Sequence, residues 1–235
     1  MLREWPFGFN FCQFNGFLSY FWCLVSHSIL ALTAVNRYFC IVKPQIYPTL
    51  FTKKKTVFSI IFVWLFIFTV LLATILFTSV VFRWHFQYLF CQAIINDDSL
   101  EVNAVNVAHT IVLVVVPTCV IVFCYGIGYH AIRRHNAAVI PTLQEANGQG
   151  TLSVHEIQAS RVLLAAVIAF FMFWMPAAII NILQRVAQRN VPSFWQSLYT
   201  LSACCSSWVN AIIYGVMNRV MRNEFKKLLR CQKDN

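Results

Sequence analysis

The chain has 235 residues, 59% hydrophobic and only 11% charged, with a net charge of +10 and a mean hydropathy of +0.66. A soluble domain carries about 25% charged residues, so a soluble fold is excluded. The basic residues lie in short segments between apolar runs, where they act as topology signals rather than as a nucleic-acid surface.

Residues 1–10 form a polar-aromatic lead in which Trp5 and Phe7 read as interfacial anchors; Arg3, Glu4, Pro6 and Gly8 leave no apolar core for a signal peptide. The first predicted span runs from about Phe11 to Ile41 and ends at Lys43-Pro44. At 1.5 Å per residue it measures roughly 45 Å, against a hydrocarbon core of ~30 Å, so it must tilt or project beyond the headgroups. Pro44 and Pro48 hold a loop, and Lys53-Lys54-Lys55 marks the next boundary. The second span is predicted over Thr56 to Phe82 and includes Trp64; an aqueous segment, Arg83 to Glu101, follows it. The third, Val102 to Ile132, carries Pro117 at its middle, where a lost backbone bond kinks the helix. Arg133-Arg134-His135 closes it, and residues 136–155 read as a polar loop. The fourth, Ile157 to Leu183, holds Phe173-Trp174-Met175-Pro176, and the fifth runs from Ser193 to Val216. In the tail, Met221, Phe225, Leu228 and Leu229 share one helical face and basic residues cover the other, as in a helix lying on an anionic leaflet.

With the 43–56 loop inside, fourteen of the eighteen Lys and Arg residues are cytoplasmic and four are outside. This asymmetry places the N-terminus outside and the C-terminus inside a five-span, all-α, multi-pass bundle. The division is a transmembrane domain over 1–217 and a cytoplasmic amphipathic helix and tail over 218–235.

Cys12 opens the first span and Cys91 lies in the largest outer segment, both on the oxidising side. A bridge between them is preferred to two free thiols. The remaining cysteines form no CxxC pair, and the six histidines are dispersed. No metal site, cofactor site or catalytic cluster is expected. Cys231 offers an acylation position at the end of the tail. Arg37 stands at the edge of a long uncharged run. It is either a snorkelling boundary residue or a switch contact on a receptor's cytoplasmic face.

Taken in order, the motifs resemble the third to seventh helices of a rhodopsin-like G-protein-coupled receptor. They are Cys12 and Cys91, Asn36-Arg37-Tyr38, Trp64, Pro117 with Tyr125, Phe173-Trp174-Met175-Pro176, and Asn210-Ala211-Ile212-Ile213-Tyr214. The Asn-Arg-Tyr and Asn-Ala-Ile-Ile-Tyr-Gly forms resemble the melatonin-receptor branch. The resemblance implies that two helices precede this chain, and that Trp5, Phe7 and Gly8 belong to an outer loop.

The same resemblance implies a heterotrimeric G protein as partner, a small-molecule or peptide ligand, the plasma membrane as location, and no enzymatic activity. Arg37 would meet the G protein once freed. Glu156 would restrain it at rest, or is a helix-start carboxylate favoured by the dipole. Asn36, in place of the usual aspartate, implies a weaker lock and higher basal activity. Trp174 and Pro176 would form a pivot with Phe170 one turn below, or are aromatic core filling. Tyr125 and Tyr214 would swing towards Arg37, with Asn210 in the same motif. Ser19 stands where amine receptors carry an aspartate, and Cys204 where opsins carry the retinal lysine. Leu113 replaces the melatonin receptors' histidine, with His109 one turn away. Candidate pocket residues are therefore Ser19, Tyr20, Cys23, His109, Asn181 and Gln184, lining a neutral, aromatic pocket, or satisfied interior polar groups. A transporter or channel is the alternative. It is weakened by the absence of midplane ionisable residues and of repeated halves.

Overall fold

A computed structural model describes residues 5–85, 90–94, 99–139 and 162–174, and single positions between 176 and 223. The chain forms two compact units, one of residues 1–85 and 90–150, the other of 86–89 and 151–235.

In the first unit, helix α1 spans Phe9–Val42. Gly8, at φ 78°, takes a left-handed turn that an L side chain resists, and the helix starts directly after it. It stops at Lys43, which Pro44 forces out of helical geometry (φ −132°, ψ 55°). Cys12, Gly16, Leu24, His27, Ala31 and Ala34 recur three, four or eight apart and mark its buried face. A short helix α2, Tyr47–Leu50, lies in the loop that follows. Helix α3, Lys53–Thr78, begins at Thr52, whose hydroxyl caps the Lys55 amide at 3.4 Å.

The predicted second span ran on to Phe82. The helix stops earlier, at Ser79, which adopts a left-handed conformation (φ 50°). Phe82 belongs instead to a strand. The aqueous segment holds an antiparallel hairpin of β1 (Val81–His85) and β2 (Phe90–Ile94), pairing Phe82 with Ala93 and Trp84 with Cys91.

The predicted third span is longer than expected and divided. Helix α4, Leu100–Thr110, starts from the Ser99 cap with Glu101 in its first turn, where the helix dipole favours a carboxylate. A π turn, Ile111–Val115, follows, and helix α5 continues from Val116 to Val139, past Arg133-Arg134-His135. The kink expected at Pro117 is thus accompanied by a change of helical register immediately before it.

Phe21, Leu24 and Val25 of α1, Ile67 and Leu71 of α3, and Leu113 of the π turn form the core. Among the described residues, three helices are long and apolar enough to cross a membrane: Phe9–Val42, Lys53–Thr78 and Leu100–Ala131. In the second unit, helix α6, Val162–Trp174, falls within the predicted fourth span and buries Val162, Ala166, Val167 and Phe170 along one face. The predicted fifth span and amphipathic tail lie outside the continuously described residues.

Candidate functional site

At the outer end of the first unit, Cys12 and Cys91 are joined by a disulfide, closing a loop with a sequence separation of 79. The hairpin is held by more than this bond. The Gln13 side-chain amide donates to the Phe82 carbonyl, and its oxygen accepts from the Phe82 N–H at 3.0 Å. One side chain of α1 thereby satisfies both backbone groups of a strand residue, as a neighbouring strand would. Gly16, one turn along, has no side chain, and the Phe82 ring fills that space. Phe82 and Cys91 are buried, and the Tyr20 ring lies 5.7 Å from that of Phe82. Trp5 covers the outside, 4.9 Å from Trp84.

The pocket candidates do not all share one wall. Tyr20 lies beneath the hairpin and is partly buried in the adjoining apolar clusters. Ser19 is on the exposed face of α1, and its hydroxyl donates to the Asn15 carbonyl at 2.8 Å. Cys23 is a half-buried free thiol. His109 is partly buried with Nδ1 3.1 Å from the Thr74 hydroxyl, which links α4 to α3. Asn181 and Gln184 lie outside the described residues.

At the inner end of α1, Asn36 donates to the Tyr47 hydroxyl at 3.4 Å, connecting the helix to α2. Arg37 is partly buried, and its Nε is enclosed with no hydrogen-bond partner among the described residues. Tyr38 packs its ring 6.3 Å from Phe123 of α5. Tyr125 is partly buried on the same helix. In the second unit, the rings of Phe170 and Trp174 lie 5.8 Å apart in a tilted arrangement, and Pro176 is helical. Glu156, Asn210, Tyr214 and Cys231 lie outside the described residues.

The sequence reading missed Gln13, Gly16, His27 and Tyr47. His27 is buried in α1, with Nε2 3.1 Å from the Thr118 hydroxyl and 3.3 Å from the Val114 carbonyl. A single histidine inside an apolar helix was the available signal. Among the described residues no group of His, Cys, Asp and Glu could hold a metal ion.

This helical architecture matches that of squid rhodopsin with a TM-score of 0.78 and 22% identity, over 97% of this chain and 68% of that one. Residues 1–214 match the family described as "7 transmembrane receptor (rhodopsin family)", and the chain belongs to that family. It is 23% identical to G-protein coupled receptor 161 of Xenopus tropicalis, over 95% of this chain and 48% of that protein. It is 22% identical to trace amine-associated receptor 8a of Rattus norvegicus, over 96% and 67%. A third relative is the GQ-coupled rhodopsin of Mizuhopecten yessoensis, 25% identical over 94% and 45%. The chain thus spans about half the length of the first and third of these. The family is one of receptors, not of enzymes.

Proposed function

We propose that this chain carries the signalling core of a plasma-membrane receptor, with its N-terminus outside, that transmits the binding of a neutral, non-amine ligand to a heterotrimeric G protein. The observation that carries this reading is Arg37, half-enclosed at the inner end of α1 with its Nε unpartnered among the described residues. Its neighbour Asn36 bonds Tyr47 of the following loop instead of offering a carboxylate. An enclosed guanidinium nitrogen without an acceptor is costly, and an incoming protein surface with acceptors relieves that cost.

The neutral-ligand reading rests on Ser19. An ammonium ligand needs a carboxylate to offset its desolvation, and this position offers a hydroxyl on an exposed face, already donating to Asn15. The trace-amine relatives therefore do not transfer their ligand class. Nor does the rhodopsin relative transfer a retinal linkage, since Cys204 carries no amine. The finer likeness in motif form is to the melatonin branch, whose neutral ligand class agrees with a hydroxyl rather than a carboxylate at Ser19. His109 would supply its polar contact.

The test is G-protein activation by the chain in reconstituted membranes. Arg37→Ala should abolish nucleotide exchange while leaving membrane insertion intact. Exchange that survives this substitution would overturn the proposal.

A further inference from the structure

Among the described residues, His27 and Thr78 are the only buried polar side chains. Thr78 donates to the carbonyl one turn back in its own helix. His27 instead reaches from α1 across to the junction of the π turn and α5, within the same unit.

The proton count at that junction can be worked out. Thr118 donates its one hydroxyl proton to the Val114 carbonyl at 2.7 Å. That carbonyl can only accept, and the hydroxyl oxygen then also accepts. Nε2 of His27 faces both oxygens, at 3.3 and 3.1 Å, and a ring protonated at Nε2 satisfies both. The Val114 carbonyl thereby faces two side-chain donors at the junction of the π turn and α5. Pro117, three residues on, has no N–H, and the Val116 N–H bonds back to Ile111, five residues away rather than four.

We propose that His27 is a positioning residue that fixes the π register between α4 and α5, and through it the direction in which His109 points. A π turn holds one residue more than an α turn. Its relaxation to α geometry would rotate everything on the outer side by about 100° relative to α5. Leu113, buried in the α1–α3 core, anchors the apolar side of this turn, and His27 anchors its polar side. His109 lies two residues before the turn, and its contact with Thr74 requires the present register. The two histidines are thus coupled through five residues of backbone, and α1 sets the face that α4 turns towards α3.

The structural part of this proposal stands alone; its effect on signalling rests on the receptor reading. The experiment uses the full chain in lipid nanodiscs with ¹⁵N-labelled histidine. His27 should show a neutral ring protonated at Nε2, and His109 the signature of an Nδ1 bonded to Thr74. In His27→Leu and in Thr118→Val the His109 signature should shift to that of a ring without this bond. In His27→Gln, whose amide can still donate, it should be retained. Loss of one such bond shifts the register equilibrium by about three- to tenfold, and ligand-independent nucleotide exchange should change by a similar factor in the first two variants only. Should His27→Leu fail to fold, Thr118→Val decides, because it keeps the side-chain shape. A His109 signature unchanged in every variant that folds, or a His27 ring unprotonated at Nε2, overturns the proposal. Absence of nucleotide exchange in all variants, with the His109 shifts as expected, refutes the receptor reading and leaves the positioning role standing.

Discussion

The two ends of α1 are held in opposite ways. At the outer end, one turn of helix carries a disulfide to β2, a two-point amide contact to β1 and a glycine filled by Phe82. At the inner end, the tie to the neighbouring loop is one 3.4 Å hydrogen bond from Asn36 to Tyr47, supported by rings of Phe39, Tyr47 and Phe51 in contact at 5.5–5.9 Å. Covalent and close-packed contacts resist displacement, while a single long hydrogen bond contributes about 1 kcal/mol or less. The outer end is thus locked to its hairpin, whereas the inner end is packed against α5 through Tyr38 and Phe123 but only lightly tied to the loop that follows it.

The largest way to remove the inequality is to release the outer end. Cys12→Ala or Cys91→Ala should cost about 2–5 kcal/mol, and surface expression measured by antibody labelling should collapse. Normal expression together with two alkylatable thiols in the parent protein would show that the bridge does not form in cells.

Next in size is Gly16→Ala. The added methyl would stand 2.8 Å from Cβ of Phe82 and closer still to its ring. Overpacking of this kind costs about 1–3 kcal/mol, read as a lower melting temperature in detergent. Combining it with Phe82→Leu should restore part of the loss. Additive damage in the pair would mean that the two residues do not share one space.

A smaller change at the inner end is Tyr47→Phe, which keeps the ring stacked on Phe51 and removes the hydroxyl that accepts from Asn36. Stability should fall by less than about 1 kcal/mol, while ligand-independent nucleotide exchange rises, because the weak end becomes weaker. Unchanged basal exchange would leave this contact without a signalling role.

The smallest effect belongs to pH. Burial lowers the pKa of His85, at the end of β1, below its ordinary value of 6.5. The folded hairpin therefore favours the neutral ring. Its contribution to stability is complete above about pH 6.5 and is lost progressively as the pH falls towards the depressed folded value. Melting temperature measured from pH 8 to 5 should decline, and His85→Gln should flatten that decline.

Much of this arrangement was legible in the residues. Cys12 and Cys91 could be paired because both stood at the outer limit of apolar runs, and Arg37 announced itself as the first charge after a long uncharged stretch. The hairpin was not legible: Val81 and Phe82 continue the apolar run of α3, and only the conformation of Ser79 separates helix from strand. Pro117 signalled a kink, but a proline does not say how the neighbouring carbonyls are satisfied, so the π turn was invisible. Gln13 and His27 were missed for another reason. Their partners lie 69 and 91 residues away, and nothing local in either side chain distinguishes a long-range contact from an interior polar group.

The surface of α3 has a different consequence. Of its 26 residues, only Ile67, Leu71 and Thr78 are buried, while Phe58, Phe62, Leu65 and Phe77 are more than half exposed. Its length is about 39 Å at 1.5 Å per residue, some 9 Å beyond a typical hydrocarbon core, and Lys53, Lys54 and Lys55 occupy its first turn. Lysines there must stay at the headgroups, so a thinner bilayer is met by tilting the helix and a thicker one by straightening it. Thr74 rides on this helix and contacts His109. A bilayer thickness that tilts α3 therefore moves one partner of the contact that joins α3 to α4, and two membranes of unlike sterol content should hold that contact at different lengths in one sequence.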